Sequence, residues 1–198
     1  KTILQLERIV LNVLARMSGV ATNCARAQKI AGKTRVAKTR IALTRKTMPG
    51  FNLFDKKAAC AAGIEPHRLD LSEMILLKEN HLVFFDSATH ALKKARENTG
   101  EKKIEVEVEN QAQALEAAPY ADVIMLDNFT LAQARKTIQA LRSKEKNVGK
   151  KIAIELSGGI NFYNLRAYSK LGADLISMGS LTQNAPSIDF SLDFEEVK

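Results

Sequence analysis

Three cationic clusters stand close together in the chain. Arg45-Lys46 lies within Thr44-Arg45-Lys46-Thr47-Met48-Pro49-Gly50. His67-Arg68 follows, and then Lys78 in Leu77-Lys78-Glu79-Asn80-His81. Arginine presents a planar fork that matches carboxylate or phosphate, while lysine presents a compact charge. Together they suit a pocket for a polyanion, and His67, flanked by an arginine, would donate to the same anion. Downstream, Glu105, Glu107 and Glu109 alternate with Val106 and Val108, so any strand they form carries all three carboxylates on one face. Asp127 closes the next apolar run. Two carboxylates beside a phosphate seat are a common arrangement for Mg²⁺ shared with substrate phosphates. A carboxylate can equally stabilise positive charge developing on a sugar. The seat itself would come from Ser157-Gly158-Gly159 and Ser177-Met178-Gly179-Ser180, where glycine lets the backbone approach a ligand and free amides hold an anion.

These residues need elements to hold them. Leu6, Ile9, Val10, Val13, Leu14 and Met17 recur at three- and four-residue steps, which predicts an amphipathic helix. It is expected to break near Ser18-Gly19, resume to about Lys29 and stop at Gly32. Six short strands follow: Val36–Leu43, Met74–Leu77, Lys103–Glu109, Asp122–Leu126, Lys151–Leu156 and Asp174–Met178. Helix-like stretches lie between most of them, at Leu53–Ala62, Ser87–Asn98, Gln111–Ala118, Thr130–Ser143 and Tyr163–Leu171, with N-caps expected at Asn128–Thr130 and at Asn161. Alternating strands and helices imply a mainly parallel α/β sheet, either open or closed into a barrel. Ligands collect at the carboxyl ends of such strands. Arg45-Lys46, Lys78, Asp127-Asn128, Ser157-Gly158-Gly159 and Gly179-Ser180 each follow a strand, so the chemistry converges on one end. His67-Arg68 precedes its strand, and a short extra strand at His67–Leu71 would bring it to the same end. Ile188–Phe194 reads as an added strand or a packing arm.

The 198 residues suffice for one domain with a sizeable core, and 45% are hydrophobic. Thirty Lys and Arg against 22 Asp and Glu give a net charge of +8 and an isoelectric point near 9.5, which favours anionic partners. The chain has no tryptophan, three tyrosines and no interleaving of aromatic with basic residues, so a nucleic-acid stacking platform is disfavoured. Cys24 and Cys60 sit in alanine-rich helical patterns without ligand spacing, and are expected to be buried, reduced thiols in a cytoplasmic protein. No apolar run is long enough for a membrane span. Opening on a helix pattern without an initiating methionine, the chain reads as one cut into, so a preceding domain is expected.

Taken in order, seven motifs resemble those of the quinolinate phosphoribosyltransferase family. They are Thr44-Arg45-Lys46-Thr47-x-Pro49-Gly50, His67-Arg68, Leu77-Lys78-x-Asn80-His81, Glu105-Val106-Glu107, Leu126-Asp127-Asn128, Ser157-Gly158-Gly159-Ile160 and Ile176-Ser177-x-Gly179. The resemblance covers nearly the whole chain. It implies an incomplete, six-stranded TIM-like α/β barrel of parallel strands over residues 1–198, with a leading helix; the family's smaller N-terminal α/β domain is absent from these residues. It also implies transfer of phosphoribose from phosphoribosyl pyrophosphate to quinolinate with decarboxylation, giving nicotinate mononucleotide, pyrophosphate and CO₂ on the de novo route to NAD. Mg²⁺ is the implied cofactor, and a homodimer or higher homo-oligomer with a shared active site the implied assembly.

By motif, the resemblance assigns Arg45, His67, Arg68 and Lys78 to the quinolinate carboxylates, and Arg8 to quinolinate in a neighbouring subunit's site. Lys46 would serve quinolinate or the pyrophosphate and count, with Glu107 and Asp127, as catalytic. Glu107 and Asp127 would face the ribose and the metal. Ser157, Gly158, Gly159, Ser177 and Gly179 would hold the 5′-phosphate. Met48 and Leu43 depart from the family's pattern, which favours a threonine and a small residue there, and affect packing at the rim. Two alternatives stand beside this reading: a paralogue of the same fold associated with molybdenum transport, and a non-enzymatic basic barrel that binds anions or nucleic acid.

Overall fold

A computed structural model describes residues 2–32, 39–67 and 74–195. The long leading helix α1 (Thr2–Ala31) runs into β1 (Arg40–Ala42), α2 (Asn52–Ala61), β2 (Ile75–Leu77), α3 (Glu79–Leu82) and α4 (Ala88–Thr99). Then follow β3 (Ile104–Val108), α5 (Gln111–Ala117), β4 (Val123–Asp127), α6 (Leu131–Val148), β5 (Ala153–Ser157), α7 (Leu165–Tyr168), β6 (Leu175–Ser177) and α8 (Ser180–Gln183). Every strand pairing is parallel, in the order β1-β6-β5-β4-β3-β2. That is a ring of sequential neighbours opened between its first two strands: an incomplete six-stranded α/β barrel. Most strands are shorter than the sequence expectation, β4 keeps its length but is shifted by one residue to end on Asp127, and Glu109 falls outside β3. Glu65 makes a single bridge to Ala42. The rest of the expected extra strand (68–71), and the start of the first, lie outside the described residues.

Strand alternation sorts the side chains into two environments. Ile104, Val106, Val108, Ile124, Leu126, Ile154, Leu156 and Ile176 face outward and form the core with Leu92 of α4, Ala114 and Ala117 of α5, and Ala134, Ile138 and Leu141 of α6. Each such aliphatic side chain contributes about 1.5–3 kcal/mol when fully buried. The opposite positions carry Glu105, Glu107, Met125, Asp127, Glu155, Ser157, Leu175 and Ser177, and these line the concave interior. Apolar packing against the helices therefore holds a polar interior in place.

Two aspartates tie successive strands together in the same way. Asp122, just before β4, accepts hydrogen bonds from the Ile104 amide (2.9 Å) and from Arg96 of α4 (2.5 Å), and pairs with Lys150 (2.8 Å). Asp174, just before β6, accepts from the Ile154 amide (2.8 Å) and from Arg142 of α6 (2.6 Å). Partial burial opposes ionisation at both. It is outweighed by Lys150, the Ile104 amide and Arg96 at Asp122, and by Arg142 and the Ile154 amide at Asp174, so both carboxyls lie below their ordinary 3.8. A carboxyl whose folded pKa is depressed stabilises the fold above its unfolded pKa and loses that contribution as pH falls through the folded value. Thermal melts from about pH 6 to about pH 2 should show this acid limb, each aspartate contributing about 1–3 kcal/mol less a discount for partial exposure. The pair Asp122→Asn and Asp174→Asn should lower the neutral-pH midpoint and flatten the limb; an unchanged limb would assign acid sensitivity elsewhere.

Helix α1 departs from expectation in two respects. It runs unbroken through Ser18-Gly19. Gly19 serves a close crossing there, since a Cβ would stand 1.7 Å from the Pro186 carbonyl oxygen. The C-terminal segment is a packing arm rather than a strand, with the Ile188 amide donating to Ala15 (3.2 Å) and Asn23 donating to Leu181 and Asn184 carbonyls. Second, the predicted apolar stripe is largely solvent-facing: Leu6, Ile9, Val10 and Leu14 are exposed, and the buried face begins at Leu11 and continues through Ala15, Gly19, Val20, Asn23, Cys24 and Ala27. Periodicity marks an apolar face without saying what covers it. Cys24 is buried as expected, and burial pushes its thiol up to about 12, but Cys60 is exposed on α2. Capping matches at Thr130, whose hydroxyl accepts from the Gln133 amide, while Asn164 rather than Asn161 caps α7. Helix α7 itself is one turn long, shorter than its predicted span. Among the described residues no helix is long and apolar enough to cross a membrane.

Candidate active site

The carboxyl ends of the strands enclose a cavity of about 310 Å³. Its lining includes Arg45, Lys46, His67, Lys78, Glu107, Asp127, Ser157, Gly158, Gly159 and Ser177. Arg68 lies outside the described residues. Arg8 is exposed on α1 and borders a separate crevice with Asn12 and Ser187.

The loop after β1 is fixed from several sides. The Lys46 amide donates to Thr44 Oγ1 (3.1 Å), and the Lys46 carbonyl accepts from the Thr182 hydroxyl of α8 (2.7 Å). Gly179 lies against the lysine stem: a Cβ there would be in ordinary contact with Lys46 Cδ at 3.5 Å and would meet Gln183 Oε1 at 2.8 Å. This brings Lys46 beside the glycine-bearing ends of the last strands, although Gly179 does not itself line the cavity. Asp55, fully buried on α2, forms a bidentate pair with Arg16 of α1 (2.9 and 2.8 Å) and accepts from the Met48 amide (3.4 Å). It anchors the Arg45-Lys46 loop to the helical layer, a role that no local motif signals.

Lys78 ends β2 and places Nζ 2.7 Å from Glu107 Oε2. Burial pushes the Glu107 carboxyl up; Lys78 pulls it down, and the charges of Asp127 and Glu79 push it up again. The net direction is upward. Glu105 shares the inward face but is fully buried beneath the cavity, and Glu109 lies outside the cavity. Of the three alternating glutamates, Glu107 is thus the one that reaches the ligand space.

At the end of β4, Asn128 adopts a left-handed conformation (φ 54°), and its side-chain amide donates to Asp127 Oδ2 (2.5 Å). The Asn128 backbone amide donates to the Ser157 carbonyl (3.0 Å). Gly158 (φ 82°) lies so close that a Cβ would meet Asn128 Oδ1 at 2.4 Å. Carboxylate and glycine turn are therefore one packed unit.

Glu155 was not among the residues predicted for the site. Fully buried in mid-β5, it accepts from Ser177 Oγ (2.6 Å) and stands 2.9 Å from His67 Nε2, which is also 3.9 Å from Glu105 Oε1. Its position between Ile154 and Leu156 repeats the alternation that singled out Glu105 and Glu107, and could have marked it. The Ser177 hydroxyl donates its hydrogen bond to Glu155, so only lone pairs of its oxygen remain toward a ligand. Among the described residues, the one group of three or more acidic, histidine or cysteine side chains with ligand atoms within 4.8 Å of one another is His67, Glu105 and Glu155.

The arrangement sets a cationic wall against a carboxylate pair, over a floor of glycine turns. It suits an anionic substrate joined to a phosphorylated one, with negative charge available where a cation develops.

The family description "Quinolinate phosphoribosyl transferase, C-terminal domain" matches residues 20–193. The chain is 43% identical over 188 residues to the rat nicotinate-nucleotide pyrophosphorylase (carboxylating), covering 94% of this chain and 61% of that protein. It is 40% identical over 192 residues to the probable enzyme of the same name from Archaeoglobus fulgidus, covering 96% and 72%. The crystal structure of NadC from Streptococcus pyogenes superposes with a TM-score of 0.86 at 37% identity, covering 98% of this chain and 65% of that one. The chain thus spans about two thirds of the length of these relatives.

Proposed function

Because the chain belongs to the quinolinate phosphoribosyltransferase family, we propose that this cavity transfers phosphoribose from phosphoribosyl pyrophosphate to quinolinate and releases CO₂, yielding nicotinate mononucleotide. The relatives are named for the reverse, carboxylating direction of the same reaction. The observation that carries the reading is the single cavity in which Arg45, Lys46, His67 and Lys78 face Glu107 and Asp127 above Ser157-Gly158-Gly159.

Quinolinate brings two carboxylates and its cosubstrate several phosphate charges, so cations must hold both together. Arg45, His67 and Lys78 take the dicarboxylate. Lys46, beside Gly179, serves the pyrophosphate, and the amides of the glycine turns take the 5′-phosphate. In this resting arrangement Lys78 neutralises Glu107. A substrate carboxylate would share Lys78 with Glu107, whose ionised form that cation favours against burial and the charge of Asp127. Departure of pyrophosphate builds positive charge on the anomeric carbon, which these carboxylates stabilise. Holding the ring nitrogen beside that carbon supplies proximity. The new N-glycosidic bond makes the ring cationic, which stabilises the electron pair left on C2 when the 2-carboxylate leaves as CO₂, until C2 takes up a proton.

Glu107 and Asp127 also fit Mg²⁺: both are hard oxygen donors on one cavity, close enough for the charge of Asp127 to push the Glu107 carboxyl up. When bound, the ion would screen the pyrophosphate. Arg8, exposed on α1 beside exposed Leu6, Ile9 and Val10, is assigned to the site of a neighbouring copy in a homo-oligomer.

The test is turnover of quinolinate and phosphoribosyl pyrophosphate with Mg²⁺, with nicotinate in parallel. Equimolar nicotinate mononucleotide and CO₂ from quinolinate, with no product from nicotinate, is expected. Comparable product from nicotinate, or no turnover together with no binding of either substrate, would overturn the reading.

A further inference from the structure

We propose that Glu155 is a positioning residue that couples the two halves of the site, holding the dicarboxylate-binding His67 with one oxygen and the phosphate-side Ser177 with the other. The inference rests on the function proposed above.

A carboxylate with no solvent exposure is costly unless its oxygens are partnered. In Glu155 they are divided between opposite sides of the cavity. Oε1 takes the Ser177 hydroxyl proton at 2.6 Å, in the range of a charge-assisted O–H···O⁻ bond. Oε2 stands 2.9 Å from His67 Nε2, a close polar contact without hydrogen-bond geometry. Ser177 ends β6, next to the glycine turn at Gly179, whereas His67 belongs to the segment between α2 and β2. No backbone element joins them, and the carboxylate of Glu155 is the shared contact.

The backbone makes His67 dependent on such an anchor. Its φ of 26° is unusual for a residue with a side chain. Its side chain is only 17% exposed. Contact of Nε2 with Glu155 settles which ring nitrogen faces the barrel interior, and hence how the imidazole meets a substrate carboxylate. On β6 the same carboxylate occupies the Ser177 proton, so that strand end offers backbone amides rather than a hydroxyl donor to a phosphate. Moving either partner alters the seat of the carboxylate between them.

A cross-effect follows that a purely local role would not produce. Ser177→Ala, on the phosphate side, should weaken quinolinate binding about fivefold to tenfold by releasing Oε1 and letting the Glu155–His67 contact drift. Glu155→Gln should weaken quinolinate by at least tenfold, because an amide NH₂ can then face His67 Nε2. In the Glu155→Gln background, Ser177→Ala should have little further effect. Ser177→Thr keeps the hydroxyl and should restore quinolinate affinity.

Calorimetric titration of quinolinate into the four proteins of this cycle, and into Ser177→Thr, reads the coupling without requiring turnover. Circular dichroism melts identify any variant that fails to fold, for which Glu155→Asp replaces Glu155→Gln as the perturbation. Strictly additive losses, or a Ser177→Ala effect confined to phosphoribosyl pyrophosphate, would overturn the coupling while leaving the proposed reaction standing. A wild-type chain that neither binds nor turns over quinolinate would overturn the proposed function, and the coupling with it.

Discussion

Asp127→Asn is expected to lower kcat by about 10²–10³-fold while leaving the fold intact, since preorganised charge at a developing cation is worth that much in a closed site. The substitution is isosteric and removes only the negative charge. Asp127 is half-buried at the carboxyl end of β4, outside the aliphatic core, so the melting temperature should hold. Its neighbour Asn128 donates to Oδ2, and the substituted amide can still offer an oxygen there. The loss should therefore fall on turnover rather than on quinolinate affinity, because the dicarboxylate is held by the opposite wall. Steady-state kinetics with each substrate varied in turn would separate the two. A variant retaining activity within a few-fold would mean that Asp127 does not face the reacting carbon.

Gly158→Ala should be as damaging for a different reason. The residue sits at φ 82°, where a side chain is strained, and a Cβ would stand 2.6 Å from the Asn128 backbone nitrogen as well as 2.4 Å from its Oδ1. Neither can yield freely: that nitrogen is bonded to the Ser157 carbonyl, and the side chain holds Asp127. One methyl group thus displaces the phosphate floor and the carboxylate together. We expect a fall in kcat/KM of at least about 100-fold, together with a stability loss of about 1–3 kcal/mol. Gly159→Ala is the control. Gly159 shares a positive φ (62°), but the Asn128 contact there is 3.9 Å, so strain without collision is predicted and the loss should be milder. Equal damage at both positions would show that conformational strain alone, rather than the abutment with Asn128, sets the requirement for glycine.

The exposed apolar face on the first half of α1 bears on how the chain works. Ile3, Leu4, Leu6, Ile9, Val10 and Leu14 are all open to solvent in the isolated chain, beside Arg8. In the homo-oligomer proposed above, a neighbouring copy would cover this face and take up Arg8.

Much of this protein was legible in its residues because strand alternation and glycine chemistry are local. Valines between glutamates, and Ser-Gly-Gly after an apolar run, depend only on neighbours in the chain, and they located strands, their inward faces and the end that carries the chemistry. Ordered motifs identified the family. What the sequence could not decide were contacts between segments far apart in the chain. Gly19 reads as a break in a helix until Pro186 is seen crossing it, and the stripe from Leu6 to Leu14 reads as buried until nothing among the described residues is found to cover it. Ser177 reads as a phosphate donor until its hydroxyl is seen donating to Glu155, and Asp55 reads as an ordinary helical acid until it is seen bracing the Arg45-Lys46 loop against Arg16. The three cationic clusters were visible as charges; that they form one wall, facing Glu107 and Asp127 and steadied from below by Glu155, is a property of the curled sheet alone, since only its closure brings β2, β4 and β5 to bear on one cavity.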